Sequence, residues 1–265
     1  MTTASPRPAA TLLLLRDSPR GMEVLMLMRH REVDFAAGAL VFPGGKVTEE
    51  DRQMQAHVGG ASLLQPEEIA FRAAAIRETF EEAGLLLARR PGEKELLDKG
   101  ACLDIQNRFR DALLRHEITF MKLCETLGLE LACDLLTPFA HWITPEISPK
   151  RFDTRFYIAP APLGQEESCD GQELVESVFL HPLDALEDAR AGRRPIIWPT
   201  RMNLAKLGKS PGVEEALAAA RASPIVTVCP ELAEGEKGPV LRIPKEAGYE
   251  VSEVGIEEVM GAFRG

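Results

Sequence analysis

One segment constrains this chain more than any other. From Pro66 to Leu85 it reads PEEIAFRAAAIRETFEEAGL, with a proline suited to open a helix, an alanine-rich interior and a glycine placed to close it. Proline is tolerated at the first helical position because its missing N–H would find no partner there, and glycine adopts the left-handed conformation that ends a helix. The pattern predicts a helix from Pro66 to Ala83 capped by Gly84. At roughly 100° per residue, Ile69, Ala73, Ile76, Phe80 and Ala83 share one face, and Glu78, Glu81 and Glu82 lie about opposite. Carboxylates at these spacings repel one another, so the acidic face is either simply solvated or organised around a cation. Hard oxygen ligands suit Mg²⁺ or Mn²⁺, and Arg77 is placed to orient a neighbouring carboxylate.

The rest of the composition narrows the class. The chain has 265 residues, 45% of them hydrophobic, with 31 Lys and Arg against 41 Asp and Glu for a net charge of −10. That balance excludes disorder and argues against a nucleic-acid polymer as partner, because phosphate neutralisation by a basic face supplies most non-specific affinity. No apolar run approaches the roughly 20 residues that span a bilayer, so no membrane partner is expected. Ala9 to Leu15 reads as a strand and not as a signal peptide. Cys102, Cys124, Cys133, Cys169 and Cys229 form an odd set without CxxC spacing, which indicates neither disulfides nor zinc and favours a reducing cytoplasm. The last four residues carry no peroxisomal address.

Along the chain, residues 1–8 read as a flexible tail. Ala10 to Arg16 and Met22 to His30 read as a hairpin across Asp17 to Gly21, and Ala39 to Phe42 as a short strand stopped by Pro43-Gly44-Gly45. Helices are expected at Glu93 to Lys99, Asp104 to Leu127, Pro182 to Ala191, Thr200 to Leu207 and Val213 to Ala222. Strands are expected at Phe139 to Thr144, Arg151 to Ala159 and Leu174 to Leu180, with a last hairpin from Ile225 to Cys229 and Val240 to Ile243. The mixture predicts an α+β layered domain.

Phe42-Pro43-Gly44-Gly45 followed by Arg77-Glu78-Thr79-Phe80-Glu81-Glu82-Ala83-Gly84-Leu85 resembles the signature of the Nudix hydrolase superfamily, G-x5-E-x7-R-E-U-x-E-E-x-G-U with U aliphatic. The second half matches at every fixed position except Thr79. Arg77 follows Gly45 by 32 positions where the plain signature has 14, so about 18 extra residues interrupt the box. Counting back from Arg77, the position of the first glutamate holds Ile69; Glu67, Glu68 or an acid of the insertion could substitute through water.

An interrupted box resembles the long-box coenzyme A and acyl-CoA diphosphatase branch. The branch's motif L-L-T-x-R-[SA]-x3-R-x3-G-x3-F-P-G-G lies over Leu25 to Gly45 without a gap. Leu25, Arg29, Gly38, Phe42, Pro43, Gly44 and Gly45 match, while His30 replaces the small residue and Asp34 the second arginine, with Arg31 nearby. His141 to Pro145, Arg151 to Phe156 and Pro182 to Leu186 are similar to further stretches of that branch.

The resemblance implies a Nudix-type α/β/α sandwich with a mixed β-sheet, an insertion in the Nudix box and added helices. Residues 9–222 would form the elaborated domain, with 46–65 the box insertion, 93–136 a helical insertion, and 223–265 an extension packing on the same domain. It implies a metal-dependent hydrolase that cleaves a diphosphate in coenzyme A or acyl-CoA, with ADP-ribose, NADH or a dinucleoside polyphosphate as alternative substrates. A non-catalytic nucleotide-sensing domain is the alternative of another class. Glu78, Glu81, Glu82 and the Gly45 carbonyl would hold Mg²⁺ or Mn²⁺. Arg77, Glu78, Glu81 and Glu82 would carry the catalysis, with Glu173 or Glu176 a further candidate base. Arg29, Gly38, Phe42, Gly44 and Gly45 would bind substrate. A small-molecule diphosphate is the expected partner, with a homodimer left open. Asp153 is expected to pair with Arg151 or Arg155, and Trp142 and Phe156 belong to the core more readily than to a base-stacking site.

Overall fold

Two apolar runs near the N-terminus build the centre of the sheet. In the computed structural model, which describes residues 4–30, 38–60, 62, 64–169 and 174–261, β1 (Arg7–Ser18) and β2 (Gly21–Arg29) form the expected hairpin, with Leu15 opposite Val24 and Ser18 opposite Gly21. Successive side chains of a strand point to opposite faces. Ala10, Leu12, Leu14, Leu25 and Leu27 therefore enter one core, and Leu13, Leu15, Val24 and Met26 enter another. Burial on both faces explains why the strands read as continuous apolar runs instead of alternating ones.

The chain continues through β3 (Leu40–Val41), β4 (Gly44–Lys46), the short α1 (Glu49–Arg52) and the long α2 (Pro66–Ala83). Then come β5 (Ala88–Arg89), α3 (Lys99–Ile105), α4 (Asp111–Leu114), α5 (Phe120–Leu127) and β6 (Glu130–Leu131). Next are β7 (Thr137–Ile143), β8 (Phe152–Pro160) and β9 (Leu174–Leu180), followed by α6 (Pro182–Arg190), α7 (Trp198–Leu207) and α8 (Val213–Ala222). The chain closes with β10 (Thr227–Val228), β11 (Glu231–Gly235), β12 (Gly238–Arg242), β13 (Glu253–Gly255) and α9 (Ile256–Gly261).

The main sheet runs β10-β7-β8-β1-β2-β3, with β4 paired to the first part of β1 and β9 to β2. It is mixed: β1 runs parallel to β8, and β10 to β7, while the other pairs are antiparallel. The core on one face is formed with α2 and the helices of 99–127, and that on the other with α6, α7 and α8. This is the α+β, three-layered sandwich that the sequence predicts.

α2 has the predicted bounds, with Pro66 in its first turn and Gly84 left-handed at φ 72°. Its middle is buried on every side, Arg72 and Arg77 included, and not on one stripe alone. Four alanines (Ala70, Ala73, Ala74, Ala75) let the sheet and the added helices approach it closely.

Three expectations fail. Residues 93–98 are not helical; Asp98 caps α3 by accepting from Ala101 N. The helix expected over 104–127 carries a π-turn at Gln106–Arg110 and is broken after Leu114, where His116 has a φ of 55°, the one positive value among the described non-glycine residues. The expected last hairpin does not pair with itself. β10 joins the main sheet beside β7, while β12 pairs with β11 and β13 in a separate three-stranded sheet. Backbone partners so distant in sequence leave no local trace.

Candidate active site

Arg77 organises the site. It lies on α2 one turn before the last glutamates, and its guanidinium is buried. Nε and Nη2 donate to the two carboxylate oxygens of Asp51, both at 3.0 Å, and Nη2 also donates to Lys46 O at 2.9 Å. Nη1 donates to Glu78 Oε1 at 2.9 Å and to Glu81 Oε2 at 3.0 Å. All five N–H groups of the guanidinium fork are thereby used. Burial by itself would lower the Arg77 pKa, but the Asp51 hydrogen bond and the charges of Glu78, Asp51 and Glu81 outweigh it and raise it.

The glycine loop meets this network from β4, where Gly45 stands opposite Ala10 and Gly44 opposite Thr11. A Cβ on Gly45 would come within 2.4 Å of Glu78 Oε1, so the Glu78 carboxylate lies directly against the Gly45 backbone. A Cβ on Gly44 would come within 2.5 Å of Ala10 O, so the neighbouring strand requires that glycine. Gly44 N donates to Glu82 Oε2 at 2.8 Å, tying the loop to the third glutamate. Thr79, the departure from the aliphatic pattern, is fully buried and satisfied within the helix by donating to Ala75 O.

One guanidinium therefore faces three carboxylates, Asp51, Glu78 and Glu81, with Glu82 beside them. Burial pushes the Glu81 carboxyl up, Glu78 adds to the effect, and the pull of Arg77 offsets part of it, leaving a pKa of about 7. This excess of hard oxygen ligands over positive charge fits a divalent cation. Among the described residues, though, no three His, Cys, Asp or Glu side chains converge into a ready cluster: Glu78 and Glu81 turn to Arg77, and Glu82 turns to Gly44.

Asp51, an acid of the insertion, is the candidate site residue that counting back from Arg77 does not single out. It stands six positions after Gly45, where the signature places its first acid, and the extra residues follow it. It belongs to α1, whose Thr48 cap accepts from Asp51 N and donates to Asp51 Oδ2. Glu67 and Glu68 serve elsewhere: both accept from Arg155, and Glu68 also accepts from Arg72 and Tyr157.

The remaining candidates are spread more widely. Arg29 ends β2 and donates its N–H to Ala39 O, and Gly38 is left-handed at φ 67°. Phe42 is buried in the core on the other face of the sheet. Glu176 pairs with Arg194 at 3.1 Å. Glu173, like Arg31 and Asp34, lies outside the described residues. Asp153 binds neither Arg151 nor Arg155; it pairs with His141 Nε2, while Arg151 is taken by Thr144 O and Ala4 O. Trp142 and Phe156 are both core residues.

A sheet between two helical layers, with an Arg-Glu-x-x-Glu-Glu helix facing a Gly-Gly loop, is the frame of a Nudix hydrolase. A crystal structure of a Nudix hydrolase from Alicyclobacillus acidocaldarius superposes with a TM-score of 0.66 at 28% identity, covering 82% of this chain and 97% of that one. The family model described as the NUDT19 Nudix domain matches residues 53–207, more than half of the chain, and the chain belongs to that family. The acyl-coenzyme A diphosphatase NUDT19 of Xenopus laevis is 27% identical over 70% of this chain and 59% of its own length. The Gallus gallus protein of the same name is 28% identical over 68% and 62%. The chain thus spans about 60% of the length of these two curated relatives.

Proposed function

We propose that this chain is a divalent-metal-dependent diphosphatase acting on coenzyme A or acyl-CoA. The observation that carries the reading is the Arg77 fork, which holds the carboxylates of Glu78 and Glu81 side by side while Glu78 lies against Gly45. The choice of coenzyme A or acyl-CoA is supported by the family match and the names of the two relatives.

Glu78, Glu81 and Glu82, with the Gly45 carbonyl, are the groups that would hold Mg²⁺ or Mn²⁺. The cation, when bound, supplies positive charge to the diphosphate oxygens and makes the attacking water more acidic. The chain's own residues do the rest. Arg77 restricts Glu78 and Glu81, so little reorganisation is needed when charge develops. Glu78, aimed by Arg77, is the carboxylate suited to accept the proton of the attacking water. Water adds to one phosphorus, the bridging P–O bond breaks, and the bridging oxygen leaves on the other phosphate, giving two monophosphates. Gly45, which has no side chain, lets the Glu78 carboxylate lie against the loop backbone, and Gly44 lets β4 sit close on β1. Arg29, which matches the coenzyme A motif, is the side chain we expect to meet a substrate phosphate.

The test is a substrate panel of coenzyme A, an acyl-CoA, ADP-ribose, NADH and a dinucleoside polyphosphate, with Mg²⁺ or Mn²⁺, comparing wild type with Glu81→Gln and Glu82→Gln. Coenzyme A should be split between its two bridging phosphates, chelator should stop the reaction, and both variants should be severely impaired. Turnover of only the other substrates overturns the coenzyme A assignment. Unchanged rates in both variants overturn the site.

A further inference from the structure

The last carbonyls of a helix have no partner within it and must find one elsewhere. In α2 these carbonyls lie on the segment that carries the glutamates. Phe80 O accepts from Gly84 N, and Ala83 O accepts from Ser168 N. The two between them belong to Glu81 and Glu82, and both are taken by one distant residue. Arg110 Nε donates to Glu81 O at 3.1 Å and Arg110 Nη2 to Glu82 O at 2.9 Å. The same guanidinium is anchored behind by Ser168, with Nη1 on Ser168 Oγ at 2.7 Å and Nη2 on Ser168 O at 2.8 Å. Arg110 is itself buried.

The backbone that presents Arg110 is specialised for this contact. Cys102, Gln106 and Arg110 follow at four-residue intervals, and all three reach the end of α2: Cys102 Sγ and Gln106 Nε2 both donate to Gly84 O. In a regular α-helix each four-residue step drifts by about 40°, so the third side chain would swing well away from the first. The π-turn over Gln106–Arg110 is wider and lessens that drift, keeping Arg110 in line with the other two. A second tie joins the same added helices to the other side of the site. Glu50, next to Asp51 in α1, accepts from Met121 N in the first turn of α5.

We propose that Arg110 is a positioning residue of the site, clamping the main chain of Glu81 and Glu82 so that their carboxylates are held in place against Arg77 and the Gly44-Gly45 loop. Its positive charge also lies at the negative end of the α2 dipole. The inference rests on the diphosphatase reading, and makes the helical segment 99–127 a support for the chemistry in addition to a covering layer. Sequence motifs do not mark Arg110, because its partners are backbone carbonyls almost thirty residues away.

The test uses the full chain with Arg110→Lys, Arg110→Gln and Arg110→Ala, and three measurements. These are Mn²⁺ affinity by titration of the free protein, kcat and KM for the substrate that wild type hydrolyses, and amide hydrogen exchange over residues 78–86. The expected result for Arg110→Gln is at least threefold weaker Mn²⁺ binding, at least a tenfold loss in kcat with KM within twofold, and faster exchange confined to 78–86 and the π-turn. Arg110→Lys, which keeps the charge and one or two of the bonds, should fall between Gln and wild type. Should Arg110→Ala fail to fold, Lys and Gln carry the comparison. A folded Arg110→Gln with wild-type Mn²⁺ affinity and kcat overturns the proposal, as does a KM effect without a kcat effect. A wild type that binds Mn²⁺ but hydrolyses none of the panel overturns the diphosphatase reading alone, and Mn²⁺ affinity with exchange then decides on Arg110. A wild type that does neither overturns both.

Discussion

Asp51 grips Arg77 with both carboxylate oxygens, Oδ1 to Nε and Oδ2 to Nη2, each at 3.0 Å, from a position where its own side chain is 1% exposed. The pair joins the start of the interrupted box to its end across the extra residues. Removing Asp51 leaves Nε and one N–H of Nη2 of the buried guanidinium without a partner, although Glu78 and Glu81 still face its charge. Asp51→Ala should therefore cost about 1–3 kcal/mol in urea unfolding. Its kcat/KM should fall on the order of 100-fold, because Glu78 and Glu81 then share an unanchored guanidinium. Asp51→Glu, which restores the acid, should recover part of both. Stability and turnover close to wild type in Asp51→Ala would show that Arg77 is held well enough by Lys46 O and the two glutamates.

Gly44 and Gly45 are adjacent but should fail in different ways. A methyl on Gly44 meets backbone, Ala10 O at 2.5 Å and Thr11 Cα at 2.8 Å. Gly44→Ala should therefore lose about 1–3 kcal/mol of stability as strands β4 and β1 separate. A methyl on Gly45 meets the tip of a side chain, the Glu78 carboxylate, which can rotate away. Gly45→Ala should keep nearly the wild-type melting temperature and lose roughly 10- to 100-fold in kcat, the cost of a misplaced group. Thermal melts and steady-state kinetics on the two variants check the contrast; loss of stability in both, or of turnover in neither, would contradict it.

Glu81 predicts the pH dependence of stability in the absence of metal. Its carboxyl is raised from 4.5 to about 7, chiefly by burial and further by Glu78. The folded state thus holds this proton more tightly than the unfolded chain does. The resulting stabilisation is complete below about pH 4.5 and is lost as pH rises to about 7, at most ~3 kcal/mol over the whole interval. Melting temperature in chelator should carry this downward component between those limits, and Glu81→Gln should remove it. Mn²⁺ should offset the loss near pH 7.5 in wild type and much less in the variant. An identical pH profile for wild type and Glu81→Gln would contradict the assignment.

Much of this arrangement can be read from the residues. Pro66, the alanine run and Gly84 act locally, and α2 appears with its expected bounds. Asp51 was within reach too, since counting forward from Gly45 finds an acid at the sixth position, whereas counting back from Arg77 assumes that the extra residues precede it. Arg110 was not within reach. Its π-turn answers to Gly84 and to the carbonyls of Glu81 and Glu82, and nothing in Gln106 to Arg110 marks a wider turn. The break at His116 and the choice of β7 as partner for β10 are likewise set by packing between distant segments.

The C-terminal segment provides a last prediction, away from the chemistry. Trp142 Nε1 on β7 donates to Tyr249 OH at 2.8 Å, and Tyr249 OH donates to Asn203 Oδ1 on α7 at 2.8 Å. Trp142 also packs edge-on against Trp198, with ring centroids 5.6 Å apart. Tyr249 is thus one of the points where the residues after α8 are fastened to the core, beside the β10–β7 pairing and the buried Leu241 and Ile243. Tyr249→Phe keeps the ring but leaves the indole N–H and the fully buried Asn203 without this partner, at a cost of about 1–3 kcal/mol. The loss should appear as faster exchange and earlier proteolysis around residues 238–255, while kcat and KM stay at wild-type values because no group of the site is touched. A fall in kcat in this variant would mean that the segment reaches the chemistry after all, and wild-type stability would mean that water replaces the hydroxyl without loss.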